Sequence, residues 1–118
     1  MTERKAGWPA LVCAAIITAT LIWGAGASAE SVNVKYRGMV DLSPFVCESI
    51  TRSSFIERVC YDVKNTYMLI ELNGTWYHYC EIDNDTVSKL LAAESMGRYY
   101  NTSIKGRFDC RTRRVPEY

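Results

Sequence analysis

The sequence predicts an α+β domain: a small antiparallel β-meander of three to four strands, with two C-terminal helical segments packed on one face and disulfides stapling it together. Three observations predict it. Met68 to Tyr79, MLIELNGTWYHY, carries two β-prone runs on either side of an Asn73-Gly74 pair. Val87, Leu90 and Leu91 then recur at i, i+3 and i+4, the spacing of an apolar helical stripe. Four of the five cysteines follow residue 29, and an even count in a small exported chain reads as a disulfide framework.

The hairpin is the firmest element. A two-residue type I′ turn needs φ > 0 at both central positions, which Asn and Gly tolerate. With Asn73 and Gly74 at the centre, Leu72 faces Thr75, Ile70 faces Tyr77 and Met68 faces Tyr79. Side chains alternate faces along a strand. Met68, Ile70, Leu72, Tyr77 and Tyr79 therefore share an apolar face, and Leu69, Glu71, Trp76, His78 and Cys80 lie on the other.

The N-terminus reads as a leader. Arg4 and Lys5 precede an apolar run from Trp8 to Trp23, and Ala27-Ser28-Ala29 supplies the small-x-small pattern of a cleavage site. Residues 1–29 are expected to be a signal peptide, with export to the periplasm or the medium. The alternative is an uncleaved membrane anchor, although Gly24 and Gly26 interrupt a run near the lower limit for a span. Cleavage removes Cys13 and leaves 89 residues with 12 basic and 12 acidic side chains. A neutral domain has no general electrostatic pull toward nucleic acid. Charge is uneven, however: Lys105, Arg107, Arg111, Arg113 and Arg114 crowd the C-terminus.

Taken in order, residues 30–52 form an N-terminal extension. Val32, Val34 and Tyr36 alternate with polar residues as in a short edge strand that Gly38 breaks, and Asp41-Leu42-Ser43-Pro44 reads as a turn. Phe45, Val46 and Ile50 are expected to cover one face of the sheet, pinned by Cys47. Phe55 to Asp62 is the first firm strand, with Val59 and Tyr61 on one face and Cys60 on the other. A Lys64-Asn65-Thr66 turn then sets Tyr61 beside Met68 and Val59 beside Ile70. Asp83-Asn84-Asp85 offers an N-cap and negative charge at the first helix start. Ser95 caps a second helical segment, with Met96, Tyr99, Tyr100 and Ile104 on its apolar face. Gly97 weakens that helix by about 1 kcal/mol relative to Ala, which suggests a close backbone contact there. Gly106 ends it, Phe108 and Cys110 tie the end to the sheet, and residues 111–118 are expected to fray.

The meander restricts cysteine pairing. Cys60 and Cys80 would be separated by an intervening strand, and two strand spacings of about 9.5 Å exceed the roughly 7 Å that a disulfide spans between Cα atoms. Cys47 and Cys110, from the flanks, are the preferred partners, as Cys47–Cys60 with Cys80–Cys110. A metal site has little support, because no CxxC occurs and His78 is the sole histidine.

From Ser53-Ser54-Phe55-Ile56 through Tyr77-His78-Tyr79, and then SMGRYYNTSIKG at residues 95–106, the chain resembles the KTSC domain family. The likeness covers roughly Ser53 to Phe108, within a domain drawn at residues 53–110. Its marks are the Tyr-x-Tyr strand and the second signature downstream. The chain departs from the family in having Ile82-Asp83 where Val-Pro is common, and in its four cysteines and N-terminal extension. Some members extend lysyl-tRNA synthetases, so the resemblance implies RNA binding by association; the family's function is not established.

The residues themselves point to binding or structure instead of catalysis. A His-based nucleophile needs a partner within hydrogen-bond reach, and His78 is flanked on its face by Trp76 and Cys80. No catalytic residue, metal or cofactor is expected. Tyr61, Met68, Ile70, Tyr77 and Tyr79 are expected in the core. Trp76, His78 and Tyr67 form either an exposed aromatic binding patch or a surface covered by the Cys47 segment. Arg98, Lys105 and Arg107 either dock an anionic partner or belong to a solvated surface. The expected function is a non-enzymatic exported binding or structural module, with an RNA-binding module as the alternative. An envelope protein or an anionic ligand would be the partner, with a membrane reached only through an uncleaved leader.

Overall fold

The computed structural model describes residues 30–118; the leader expected at residues 1–29 lies outside them. Nine elements follow in order. The strands are β1 (Ser31–Val34), β2 (Gly38–Asp41), β3 (Val46–Ser49), β4 (Ile56–Asp62), β5 (Tyr67–Leu72) and β6 (Thr75–Tyr79). The helices are α1 (Asn84–Ala92) and α2 (Met96–Tyr99), the latter running into a π-helical turn over Tyr100–Ile104. No described helix is long and apolar enough to cross a membrane.

The strands form one six-stranded sheet in the order β2-β1-β6-β5-β4-β3. Strands β3 to β6 are an antiparallel meander, and the β5–β6 register sets Met68 opposite Tyr79, Ile70 opposite Tyr77 and Leu72 opposite Thr75. Asn73 (φ 50°) and Gly74 (φ 83°) both take the left-handed conformation that the turn demands. The expectation of three or four antiparallel strands is corrected in count and type. The β1–β2 hairpin adds two strands, and its β1 meets β6 in parallel at Val34 and Trp76, making the sheet mixed. The hairpin is hidden in the sequence because Tyr36 (φ 70°) and Gly38 (φ 104°) turn the chain without an Asn-Gly pair. For the same reason β1 is not an edge strand: β2 takes that place.

Residues 46–49 also depart from expectation. They pair with β4 as an edge strand instead of lying over a face, and Val46 is 81% exposed. Cys47 sits directly opposite Cys60 in that ladder and is disulfide-bonded to it. Cys80 is bonded to Cys110, so both preferred pairings occur.

Each face of the sheet carries its own core. On one, Ile56, Val59, Tyr61, Met68 and Ile70 pack against Ile82, Val87, Leu90, Met96, Tyr100 and Ile104. Asp83 caps α1 by accepting from the Thr86 amide at 3.1 Å, and Ser95 caps α2 from the Arg98 amide at 3.3 Å. Arg52 closes the other end of α1 by donating to the Leu91 and Ala93 carbonyls. Gly97 has no room for a side chain, since a Cβ there would lie 2.7 Å from Phe55 Cε1. On the opposite face, Val32, Val34, Val40, Leu42 and Phe45 meet Cys60, Tyr67, Leu69, Trp76 and Cys80.

The C-terminal residues are docked, not frayed. Arg37 Nη2 donates to the Pro116 carbonyl at 2.8 Å, and the Tyr118 hydroxyl donates to Asp62 Oδ2 at 2.6 Å. The Tyr118 ring lies 5.3 Å from the Phe45 ring, centroid to centroid. A sequence rich in arginine next to the terminus gives no sign of this, because the receiving groups come from distant segments.

Candidate functional site

Strand β6 carries Tyr77-His78-Tyr79 and is paired along its whole length by β5. On its other edge β1 reaches only as far as Trp76, where the Lys35 amide donates to the Trp76 carbonyl at 2.9 Å. The chain returns to that edge at Cys80, whose amide donates to the Phe108 carbonyl at 2.9 Å. Between these two points a cleft of about 750 Å³ opens over Tyr77, His78 and Tyr79.

The core residues of the motif lie where alternation puts them. Tyr61, Met68 and Ile70 are buried on the helix face, and Tyr77 and Tyr79 are half-buried against the same cluster. The Tyr79 and Tyr100 hydroxyls are hydrogen-bonded to each other. Burial, with that bond second, holds the Tyr79 hydroxyl far above the ordinary phenol range, so it stays protonated.

Of the two alternatives for Trp76, His78 and Tyr67, an exposed aromatic patch or a covered one, the exposed patch does not form. Trp76 is 8% exposed and Tyr67 fully buried. The β1–β2 hairpin, Phe45 and the Tyr118 ring cover them, with the Arg58 guanidinium 5.5 Å above the Trp76 ring. The cover thus includes Phe45, next to the Cys47 segment, but draws most of its residues from farther away. Only His78 of the three opens to the cleft.

His78 is held by a short polar chain. Arg37 Nη1 donates to the Tyr67 hydroxyl oxygen at 3.0 Å, and that hydroxyl lies 2.8 Å from His78 Nδ1. With its oxygen receiving from Arg37, Tyr67 uses its own proton toward His78, so Nδ1 accepts and the neutral ring carries its proton on Nε2. Burial first, then the Arg37 charge, lowers the His78 pKa, against the pull of Asp109.

The basic residues are divided. Arg107 lines the cleft, Arg98 lines a separate hollow with Arg52 and Phe55, and Lys105 is exposed and lines neither. The cleft gains Lys35, Arg37, Asp109 and Arg111, which the sequence did not single out together. Arg111 and Asp109 are an ion pair at 2.6 Å, and the hydrogen bonds from Arg111 hold the Asp109 carboxyl down to about 2. Lys35 lies 5.6 Å from the Tyr77 ring centroid. The one clue in the sequence was the excess of cations near the C-terminus; that Lys35 and Arg37 join them depends on where the hairpin lands.

Comparison with known proteins agrees with the motif reading. The KTSC domain model matches residues 52–108. A crystal structure of a KTSC domain protein from Yersinia pestis superposes with a TM-score of 0.52 and 26% sequence identity, covering 55% of this chain and 92% of that one. No curated protein matches the chain. The strand bearing Tyr77 and Tyr79, the capped helices over it and the matched span together identify residues 52–108 of this chain as a KTSC domain.

Proposed function

We propose that this chain is an exported, non-enzymatic binding module that holds a small phosphate- or carboxylate-bearing ligand in the cleft along β6. The observation that carries this reading is the charge around the cleft: Lys35, Arg37, Arg107 and Arg111 against the single carboxylate of Asp109. Arg111 cancels Asp109, and Lys35 and Arg107 form no ion pair among the described residues. Hydrogen bonds to a charged group contribute about 1.5–3 kcal/mol each, so two or three such contacts give measurable affinity. Binding is favoured over catalysis because the one side chain hydrogen-bonded to His78 among the described residues is the Tyr67 hydroxyl, itself too buried to act as a nucleophile on a substrate. Export is favoured by the leader-like first 29 residues and by the two disulfides, which persist in oxidising compartments.

Calorimetric titration with inorganic pyrophosphate at low salt tests the binding. Saturable binding that weakens about tenfold in Arg107→Glu, one decade being about 1.4 kcal/mol, is expected. Heat indistinguishable from dilution at low salt rejects it. Filter binding of a short RNA, tighter than pyrophosphate and falling steeply with salt, would favour the RNA alternative. Intact mass of the secreted chain with and without reductant checks export: loss of residues 1–29 is expected, and their retention overturns the localisation.

A further inference from the structure

We propose that Cys80, Cys110 and His78 are a redox-exchangeable site for a thiophilic divalent ion such as Zn²⁺: a disulfide when oxidised, two thiolates and an imidazole around the metal when reduced. One ligand atom from each of the three residues lies within 4.8 Å of the other two, and no other group of three occurs among the described residues. Zn–S bonds of about 2.3 Å and Zn–N bonds of about 2.0–2.1 Å place tetrahedral donors roughly 3.5–3.8 Å apart. The imidazole thus needs only a small approach, and the sulfurs separate by side-chain rotation, since their Cα atoms are 5.0 Å apart.

Three features favour the site. The backbone bond from the Cys80 amide to the Phe108 carbonyl holds the two segments together independently of the sulfurs. The Tyr67 hydroxyl fixes the imidazole from its Nδ1 side, leaving Nε2 for the metal. A ligating histidine is usually oriented in this way through its second nitrogen. On metal binding the Nε2 proton is lost to solvent and Nδ1 takes one up; Nδ1 then donates to Tyr67 Oη, whose own proton turns away from the ring while the oxygen still receives from Arg37. Finally, two thiolates cancel the charge of a divalent ion, so the nearby arginines meet no added cation. His78, Asp109 and Cys110 all line the cleft, so a fourth ligand, whether water, the Asp109 carboxylate or an incoming anion, has access. The Cys47–Cys60 disulfide has no such option, because the chain's single histidine stands at Cys80–Cys110.

The chemistry balances simply. A dithiol reductant gives two electrons and two protons to the Cys80–Cys110 bond and becomes a disulfide itself. The metal ion then displaces both thiol protons. Reoxidation by a disulfide oxidant removes two electrons, reforms the S–S bond and expels the ion.

The test uses the purified chain, reduced with a phosphine and titrated anaerobically with Co²⁺ as the spectroscopic probe, followed by displacement with Zn²⁺. One Co²⁺ per chain is expected, with thiolate charge-transfer absorption and tetrahedral visible bands that reoxidation abolishes. His78→Gln should weaken binding at least tenfold. Should reduction loosen the fold, Zn²⁺ must restore the near-UV circular dichroism, because ion binding couples to folding. The proposal is overturned by no charge-transfer band in the reduced chain, by equal binding in the Cys80→Ser/Cys110→Ser variant or in His78→Gln, or by a reduced chain that Zn²⁺ does not refold.

Discussion

The buried residues of the helix-covered face all fall between Ile56 and Ile104, within the span of the KTSC domain. The opposite face takes Val32, Val34, Val40, Leu42 and Phe45 from ahead of that span. It is further tied by both disulfides, by the Glu30–Arg58 ion pair at 2.7 Å and by Tyr118 on Asp62. The helix face is therefore closed by neighbours in sequence, the other by the two ends of the described chain. Distant closures cost more chain entropy, growing slowly with loop length. The Glu30–Arg58 pair is screened by solvent at the surface and adds little, so the covalent ties are the main offset. The difference teaches that the span at residues 52–108 covers one face of its own sheet, and that the segments on either side of it cover the rest and leave the β6 cleft at their seam.

The largest test of this contrast is reduction. The two disulfides join residues 13 and 30 positions apart, worth about 3 and about 3.5 kcal/mol on the chain-entropy model. Urea unfolding with and without reductant measures the loss. Hydrogen exchange should show the β1–β2 amides opening before those of α1; the reverse order breaks the contrast. Leu90→Ala, on the helix face at a fully buried position, should cost about 2–5 kcal/mol in the oxidised protein, read as a lower urea midpoint.

Gly97→Ala sharpens the account of that face. Helix propensity alone would add about 1 kcal/mol of stability, whereas a Cβ 2.7 Å from Phe55 Cε1 should cost about 1–3 kcal/mol through overpacking. Net destabilisation is expected, with coupling in a double-mutant cycle to Phe55→Ala; additive effects would remove the packing explanation.

Tyr118→Phe probes the tie on the other face. Burial raises the Asp62 pKa, but hydrogen bonds from Tyr118, Asn65 and Lys64 more than offset this and leave it below 3.8. Its contribution is present above pH 3.8 and is lost as pH falls through the lower folded value. Removing the Tyr118 hydroxyl should cost about 1 kcal/mol at neutral pH and reduce the acid dependence, as followed by urea midpoints against pH.

The smallest effect belongs to His78. Its folded pKa lies below 6.5, so the unfolded chain takes up the proton first. Stability should be complete above pH 6.5, decline as pH falls toward the folded value, and level off below it. His78→Gln should flatten that segment of the pH profile; an unchanged slope would show that the ring is not held neutral by its surroundings.

Much of the helix face was legible because its signals are local. Asn73-Gly74 specifies a turn, the turn specifies the β5–β6 register, and Asp83 and Ser95 specify two helix starts. Counting strands between cysteines set aside Cys60–Cys80 and pointed to the flanking Cys47 and Cys110 as partners; the fold decided which flank meets which strand cysteine. The site was less legible. Trp76 and Tyr67 have the alternation of an outward face, and nothing local says that a hairpin 40 residues upstream, with Phe45 and Tyr118, will bury them. The cleft's cations come from both ends of the described chain, a coincidence that no window along the sequence contains.

By itself the sequence determined the hairpin, the two helix caps, the faces of the central strands and the family, since each depends on residues within a few positions of one another. Tertiary structure alone decided that the extension becomes part of the sheet, that Val46 stays outside while Phe45 goes in, that residues 111–118 dock, and that His78 stands beside the Cys80–Cys110 disulfide under a ring of cations. Those outcomes depend on which surfaces remain uncovered once the local elements have formed, and burial has no direction along the chain.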